Sequence, residues 1–425
     1  MCDTFAIGKT WASEGNPIFA KNSDREPDEA HVISVVPRKE YVHPETLACT
    51  YVTVPQAGRT NAVLLFKPYW IWGAEMGVNE KGVVIGNEAL FTKVKPEKKP
   101  GLIGMDLLRI ALERADTAGE AVDIIIDHLQ RYGQGGACGF RDKNFSYMNS
   151  YLLMDRDDIL VLETVGRDYA VRHTNDGAII SNRITIADDW DRSSLERGFD
   201  FRMFSDVLIT FFSGSNQRRR HVASSIRSRP QGVCVQDVFE ILRSHKGAYP
   251  FQGLNLNHDV CMHAADPFIR RSQTTGALVV ELDSSSGFRI FATAGSSPCL
   301  TPFKPILPCC LPDRVDQGGP EYGSNSFWWR HEAFRIHAIM RLSRVRDAIL
   351  EEIRDLEGRY CKDIPMYKWA SRDGELMRAS HEAFLRASML DTKWLQKMKR
   401  IDKDPHPMHN TFWSMIAKRG GIPLS

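Results

Sequence analysis

Residues 1–25 constrain this chain more than any other stretch. Thr4-Phe-Ala-Ile-Gly8 and Pro17-Ile-Phe-Ala20 are short, apolar, β-inclined runs, and Glu14-Gly-Asn-Pro17 between them reads as a turn. Together they predict a hairpin whose return strand brings Lys21, Asn22 and Asp24 beside Cys2. Cys2 follows the initiator methionine. Once Met1 is removed, Cys2 carries both a thiol and a free α-amino group, so one residue holds nucleophile and base. A cysteine thiol titrates near ~8.5 and an α-amine near ~7.7–8.0, so around neutral pH the amine can take the thiol proton. Lys21 lowers the thiol further as a neighbouring cation, and Asp24 accepts hydrogen bonds that orient the amine. Taken alone, Cys2 reads as a small residue near a frayed terminus. The run Lys21-Asn-Ser-Asp-Arg25 at hairpin distance favours chemistry.

Further along, His31–Val36, Cys49–Val54, Asn61–Phe66 and Gly82–Gly86 are β-branched, mostly apolar runs bounded by Pro and Gly. Helical period follows, with Met105, Leu107, Leu108, Ala111 and Leu112 on one face. Thr117-Ala-Gly-Glu120 then reads as a capping box opening a second helix that ends before Gly133. Strands return at Tyr151–Met154, Ile159–Thr164, Tyr169–His173 and Ala178–Ser181. A helical stretch spans 196–245, broken at Ser213-Gly-Ser215 and Pro230-Gln-Gly232, before a hairpin of Ala277–Leu282 and Phe288–Ala292. This order suits two stacked sheets with helices on both outer faces, an α/β (α+β) sandwich of four layers in residues 1–300, and it equally allows a generic α/β sheet. The Pro- and Gly-rich residues 301–323 read as a linker strapped over the surface. Residues 324–425 read as a helical appendage packed on the core, with a long helix capped by Ser324-Asn-Ser326 and a second near Glu375–Met398. Leu342, Val345, Ile349, Ile353 and Leu356 form one apolar stripe, too short for a coiled-coil seam, so self-association stays open.

Composition excludes several classes of function. A formal charge of +2 gives no reason to expect nucleic acid. No apolar h-region follows Met1 and no run approaches the ~18 apolar residues of a membrane span, so neither a signal peptide nor a membrane partner is expected. Nine cysteines, an odd and scattered set, fit a reducing cytoplasm.

Cys2-Asp-Thr-Phe5, Lys21-Asn-Ser-Asp-Arg25 and the long motif Trp70-Ile-Trp-Gly-Ala-Glu-Met-Gly-Val-Asn-Glu-Lys-Gly-Val-Val-Ile-Gly-Asn-Glu-Ala89 carry a family likeness. They resemble the secernin and cysteine-dipeptidase family of N-terminal-nucleophile hydrolases, related to the bile-salt hydrolases and penicillin V acylases. The resemblance implies the αββα fold. It also implies oxyanion-hole roles for Asn87 and Asn182, which singly read as turn residues at strand ends. Lys21 stands where the bile-salt hydrolase branch has Arg, and an Arg downstream of the second Asn is expected, with Arg219 or Arg220 as the choices and Arg220 preferred.

A dipeptidase also needs a cation for the substrate carboxylate and an acceptor for its amine. Asn22, Arg25, Trp72, Glu75 and Glu88 are the substrate-binding candidates, with Arg270, Arg271 and Glu80 as alternatives and Trp70 beside Trp72 as an aromatic wall. His258-Asp-Val-Cys-Met-His263 offers zinc-type ligands, but no CxxC or HExxH partner stands elsewhere, so no metal is expected. Cys138 reads as incidental or part of a pocket rim. The sequence therefore predicts a cysteine-nucleophile amide hydrolase, a dipeptidase acting on a small peptide or amide, with no metal or organic cofactor required. Two other readings stand beside it: a secernin-like interaction protein without turnover, and an acyltransferase in which an amine replaces water.

Overall fold

The predicted hairpin is the centre of the molecule. In the computed structural model, which describes residues 1–97, 99–247 and 256–424, Asp3–Ile7 (β1) pairs antiparallel with Ile18–Arg25 (β2) from Asp3↔Asn22 to Ile7↔Ile18. Gly177–Ser181 adds to β1, and Gln273–Leu282, Phe288–Ala292 and Lys304–Pro305 extend the far side of β2, giving a six-stranded antiparallel sheet. A second, eight-stranded antiparallel sheet runs in the spatial order Arg192–Ser193, Asp168–Thr174, Ile159–Val165, Met148–Met154, Val84–Leu90, Met76–Asn79, Val63–Pro68, His31–Val36.

Because side chains alternate across a strand, each sheet has an inner and an outer face to bury. Ala6 and Phe19 of the hairpin point inward with Leu278 and Val280, against Phe66, Val84, Leu152 and Val161 of the second sheet. Their neighbours Phe5, Ile7 and Ala20 point outward, where Ser215–Arg227 (α4) and Val235–Leu242 (α5) cover them through Val222, Ile226, Val238 and Phe239. Gly104–Arg114 (α1) and Ala118–Tyr132 (α2) cover the outer face of the second sheet at Leu65, Ile85 and Leu153. Thr117 caps α2 as expected, its hydroxyl accepting from the Glu120 N–H at 3.2 Å. The layers are helix, sheet, sheet, helix: the αββα sandwich. A short helix, Val207–Phe212 (α3), precedes α4 and buries none of its residues.

The chain closes with Phe327–Ile339 (α6), Leu342–Asp363 (α7), Gly374–Met398 (α8) and Pro407–Arg419 (α9), which share an apolar cluster with Ala30, Cys261, Ala264, Cys299 and Leu300. Three details depart from expectation. The helix opened at Ser326 breaks at Met340–Arg341, where the Asp404 N–H donates to the Met340 carbonyl (2.8 Å) and its carboxylate accepts from the Ser343 N–H (2.9 Å). A tertiary partner sixty residues downstream satisfies the break, so no local breaker marks it. Residues 301–308 are not a surface strap: they are buried, and Lys304–Pro305 forms the sixth strand of the first sheet. The run Cys49–Val54 is mostly a turn, closed by the Cys49 N–H on the Val52 carbonyl between the strands Thr46–Ala48 and Thr53–Pro55. No helix among the described residues is long and apolar enough to cross a membrane.

Candidate active site

Cys2 immediately precedes β1 and lines a cavity of about 540 Å³. The thiol is buried, and the main-chain N–H of Asp24 donates to its Sγ at 3.2 Å. The nitrogen of Cys2 donates to Asn182 Oδ1 at 2.9 Å. With Met1 in place that nitrogen is a peptide N–H. Met1 itself lines the cavity, its ammonium donating to the Asp24 carbonyl (3.2 Å) and the Ser272 hydroxyl (3.5 Å). In this state burial pushes the Cys2 thiol up to about 12, outweighing the nearby Lys21 charge.

Asn182 is held by Arg218, the largest polar side chain fully enclosed near the nucleophile. Its guanidinium donates to Asn182 Oδ1 (2.8 Å), Ser181 Oγ (2.9 Å), Asp3 Oδ2 (2.7 Å), the Asn257 carbonyl (2.8 Å) and the Cys2 carbonyl (3.4 Å). Two donors, Arg218 and the Cys2 nitrogen, converge on the amide oxygen of Asn182, which turns its NH2 to the Ala89 carbonyl at 3.0 Å. One hydrogen of the Asn182 NH2 is thus spent on the Ala89 carbonyl, while its oxygen faces the nucleophile and orients the nitrogen of Cys2.

The arginine expected downstream is corrected. Arg220 is exposed and Arg219 bonds the Ile179 carbonyl, whereas Arg218 enters the site. Ser215, Arg218, Val222 and Ile226 are the buried face of α4, and that spacing was available in the sequence as a signal.

Lys21 lies wholly between the sheets, with Nζ 3.0 Å from Glu88 and 2.9 Å from the Asn87 carbonyl. Gly86 makes room for it, since a Cβ there would stand 2.7 Å from Lys21 Cδ. Burial alone would lower this ammonium, but the charges at Cys2, Glu88 and Glu75 hold it above its usual range. Glu88 is fully buried in that pair and takes the Thr4 hydroxyl, so it does not reach the cavity. Asn22 faces away too, both amide hydrogens spent on the Leu242 and Val260 carbonyls (2.8 and 2.9 Å), because alternate residues of β2 point to opposite faces. Trp72 lies on the outer face of the second sheet beneath the Arg109 guanidinium, 4.1 Å from its ring, and is not a pocket wall. Trp70 donates to Glu29 at 2.8 Å.

Arg25, Asp24, Glu75 and Asn87 do line the cavity. Arg25 is committed to Glu29 (2.6 Å) and Glu75 (3.1 Å). Burial would raise Glu75, yet Arg25, His31 and Lys21 hold it well below the usual carboxylate range. Asp24 takes the Thr274 hydroxyl at 2.6 Å on Oδ1, and burial lifts its carboxyl to about 7. Its contacts to residues 1 and 2 run through its main chain rather than its carboxylate. Asn87 donates to Asn149 (3.1 Å), Asn149 to Gln134 (3.0 Å), and Gln134 to the Gly166 carbonyl (2.8 Å). One hydrogen of the Asn87 NH2 is thus fixed by a relay and the other remains for the cavity. Gly104 admits the relay, because a Cβ there would lie 1.8 Å from Asn149 Oδ1.

The mouth is apolar and exposed, formed by Phe145, Ile209, Phe212, Phe268 and Ile269, with Arg271, Asp142 and Glu26 among them. Arg270 is turned inward onto Asp259 at 2.9 Å, and Glu80 pairs with Arg38 at 2.8 Å, outside the cavity.

The profile of the acyl-coenzyme A:6-aminopenicillanic acid acyl-transferase family matches residues 11–250, more than half of the chain. The chain belongs to that family. Among solved structures it is similar to penicillin V acylase from Agrobacterium tumefaciens, at 14% identity and a TM-score of 0.44 over 72% of this chain and 86% of that one. It is also similar to a variant of conjugated bile acid hydrolase from Clostridium perfringens (15% identity, TM-score 0.42, 69% and 89% covered). A third is the N-acylethanolamine-hydrolyzing acid amidase ortholog of Caenorhabditis elegans (12%, 0.36, 66% and 92%).

Proposed function

We propose that this chain is an N-terminal-cysteine amidase, unmasked by removal of Met1, that cleaves small dipeptides with an apolar residue at the scissile amide. One observation carries the reading: the Cys2 nitrogen points at a fixed acceptor, Asn182 Oδ1 at 2.9 Å, while its sulfur takes a main-chain N–H at 3.2 Å inside a cavity. Replacing the Met1–Cys2 peptide bond with a free amine at that position gives a base held beside the thiol. The amine takes the thiol proton, and the Asp24 N–H stabilises the thiolate. Sulfur attacks the amide carbonyl, and the free Asn87 hydrogen meets the oxygen that becomes negative. The amine then protonates the leaving nitrogen, and water clears the acyl-enzyme.

Substrate preference follows from the mouth. Its aromatic and aliphatic rim suits an apolar side chain, Arg271 suits a carboxylate, and Glu26 or Asp142 suits an ammonium. Family membership favours one second reading, acyl transfer, in which an amine takes the acyl group from Cys2 in place of water. The test is product analysis with apolar dipeptides, blocked dipeptides and N-acyl amines, with and without a competing amine. Cys2→Ala should keep its fold and lose all cleavage; undiminished turnover by that variant refutes the mechanism. Equal rates on dipeptides with and without free termini would remove the dipeptidase assignment and leave the amidase.

A further inference from the structure

Outside the lining of the cavity, four zinc-type side chains from three separate segments converge. His245 follows α5, Cys261 and His263 precede the Gln273–Leu282 strand, and Cys299 follows the Phe288–Ala292 strand. One ligand atom from each lies within 4.8 Å of all the others. His263 Nε2 stands 3.0 Å from His245 Nε2, 3.3 Å from Cys299 Sγ and 3.6 Å from Cys261 Sγ. Zinc bonds of ~2.0–2.1 Å to nitrogen and ~2.3 Å to sulfur, set at tetrahedral angles, separate their ligands by ~3.3–3.8 Å. The three spacings from His263, 3.0–3.6 Å, overlap that range, and the remaining pairs lie within 4.8 Å.

We propose that His245, Cys261, His263 and Cys299 bind one zinc ion in a closed, four-ligand structural site. Two thiolates and two neutral imidazoles cancel the charge of the dication, which suits a place where Cys261, His263 and Cys299 are buried and His245, half-buried, marks the way in. The Cys261–His263 pair lacked a partner pair in the sequence, because its partners stand at 245 and 299 and meet it only through the fold.

The site has a mechanical consequence for the nucleophile. The residues on either side of Cys261 hold β2. The Val260 carbonyl accepts from Asn22, and the Met262 carbonyl accepts from the Thr274 N–H at 3.0 Å while the Met262 N–H donates to the Thr274 hydroxyl at 2.8 Å. That hydroxyl donates in turn to Asp24 Oδ1 at 2.6 Å. A metal fixing Cys261 and His263 therefore braces the strand that carries Lys21 and Asp24.

The test uses the full chain, purified without chelator and loaded with zinc alone. Elemental analysis should find about one zinc per chain. Cobalt replacement should give thiolate-to-cobalt charge-transfer bands with the intense visible bands of a tetrahedral ion. Cys299→Ser should weaken zinc retention against a chelating dye at least ~10-fold and lose part of the charge-transfer intensity, while Cys49→Ser leaves both unchanged. Should Cys299→Ser fail to fold, the cobalt spectrum of the unaltered chain decides. Zinc-loaded protein that retains no metal overturns the proposal, as does an intact mass two hydrogens light with Cys261 joined to Cys299. Metal retained unchanged by a folded Cys299→Ser also overturns it.

Discussion

Arg218→Met tests the inner machinery of the site without touching the nucleophile. The guanidinium is fully buried, its ion pair with Asp3 spans 2.7 Å, and both side chains are shielded from water. Asp3 Oδ1 already lacks a partner, so removing Arg218 leaves a buried carboxylate with little support. Breaking such a pair costs about 3–5 kcal/mol. The variant should show that loss in urea unfolding, and Asp3→Asn added to it should recover part of it. The pH dependence has a fixed sign. Burial already holds Asp3 above its ordinary 3.8, with Arg218 as the chief opposing charge. Without Arg218 the folded chain binds the proton more tightly still, so the deficit is smallest in acid and grows as pH rises above 3.8. On activity, Asn182 loses one of the two donors that fix its oxygen. A charge-assisted hydrogen bond of ~1.5–3 kcal/mol corresponds to a fall in kcat/KM of ~10- to 100-fold. A loss of stability below ~1 kcal/mol, or no recovery with Asp3→Asn, would refute the reading of Arg218 as the buried hub.

Other perturbations test separate links. Burial lifts the Asp24 carboxyl from 3.8 to about 7, so kcat/KM should climb with pH through about 7 if the ionised group serves the amine. Folding stability should fall as pH rises from 3.8 to about 7, because over that window the folded state holds a proton the unfolded one has lost. Asp24→Asn should flatten the stability profile and leave in kcat/KM only the acid limb of the α-amine, near ~7.7–8.0; a stability profile that still falls between 3.8 and about 7 would contradict the role. Lys304, fully buried on the Pro302 carbonyl at 2.8 Å, is brought from 10.5 down to about 7 by burial. Its charged form costs the fold on the order of 5 kcal/mol below that pH, and the cost fades as pH rises toward 10.5. Lys304→Met should therefore raise the melting temperature most at pH 6–7 and least near the lysine's ordinary range; a pH-independent change would contradict it. Arg271→Ala should raise KM for a dipeptide with a free carboxylate and leave that of its amide little changed, a split visible in steady-state kinetics.

Much of the hairpin and its neighbours was legible because the information is local. Alternation and turn residues in 4–20 place Lys21 and Asp24 at Cys2, and His31–Val36 and Phe288–Ala292 are strands with the predicted bounds. What was not legible depends on partners far along the chain. Which way Asn182 turns its amide is decided by Arg218, and which of three consecutive arginines turns inward is decided by the helical face through Val222 and Ile226. Glu88 reads as a free carboxylate until Lys21 is seen beneath it, and Asn22 as a polar pocket residue until β2 shows which face it takes. Trp72 follows the same logic, its aromatic character saying nothing of which sheet face it covers. The break between α6 and α7 and the meeting of His245 with Cys299 are set by tertiary contacts alone.

The most direct test is intact mass spectrometry of the purified chain before and after reaction with an electrophilic amide probe, followed by peptide mapping. A mature chain beginning at Cys2, with a single adduct on that residue and loss of activity in proportion to labelling, is the predicted result. An active chain that retains Met1, or one inactivated by an adduct on another cysteine while Cys2 stays unlabelled, would contradict it.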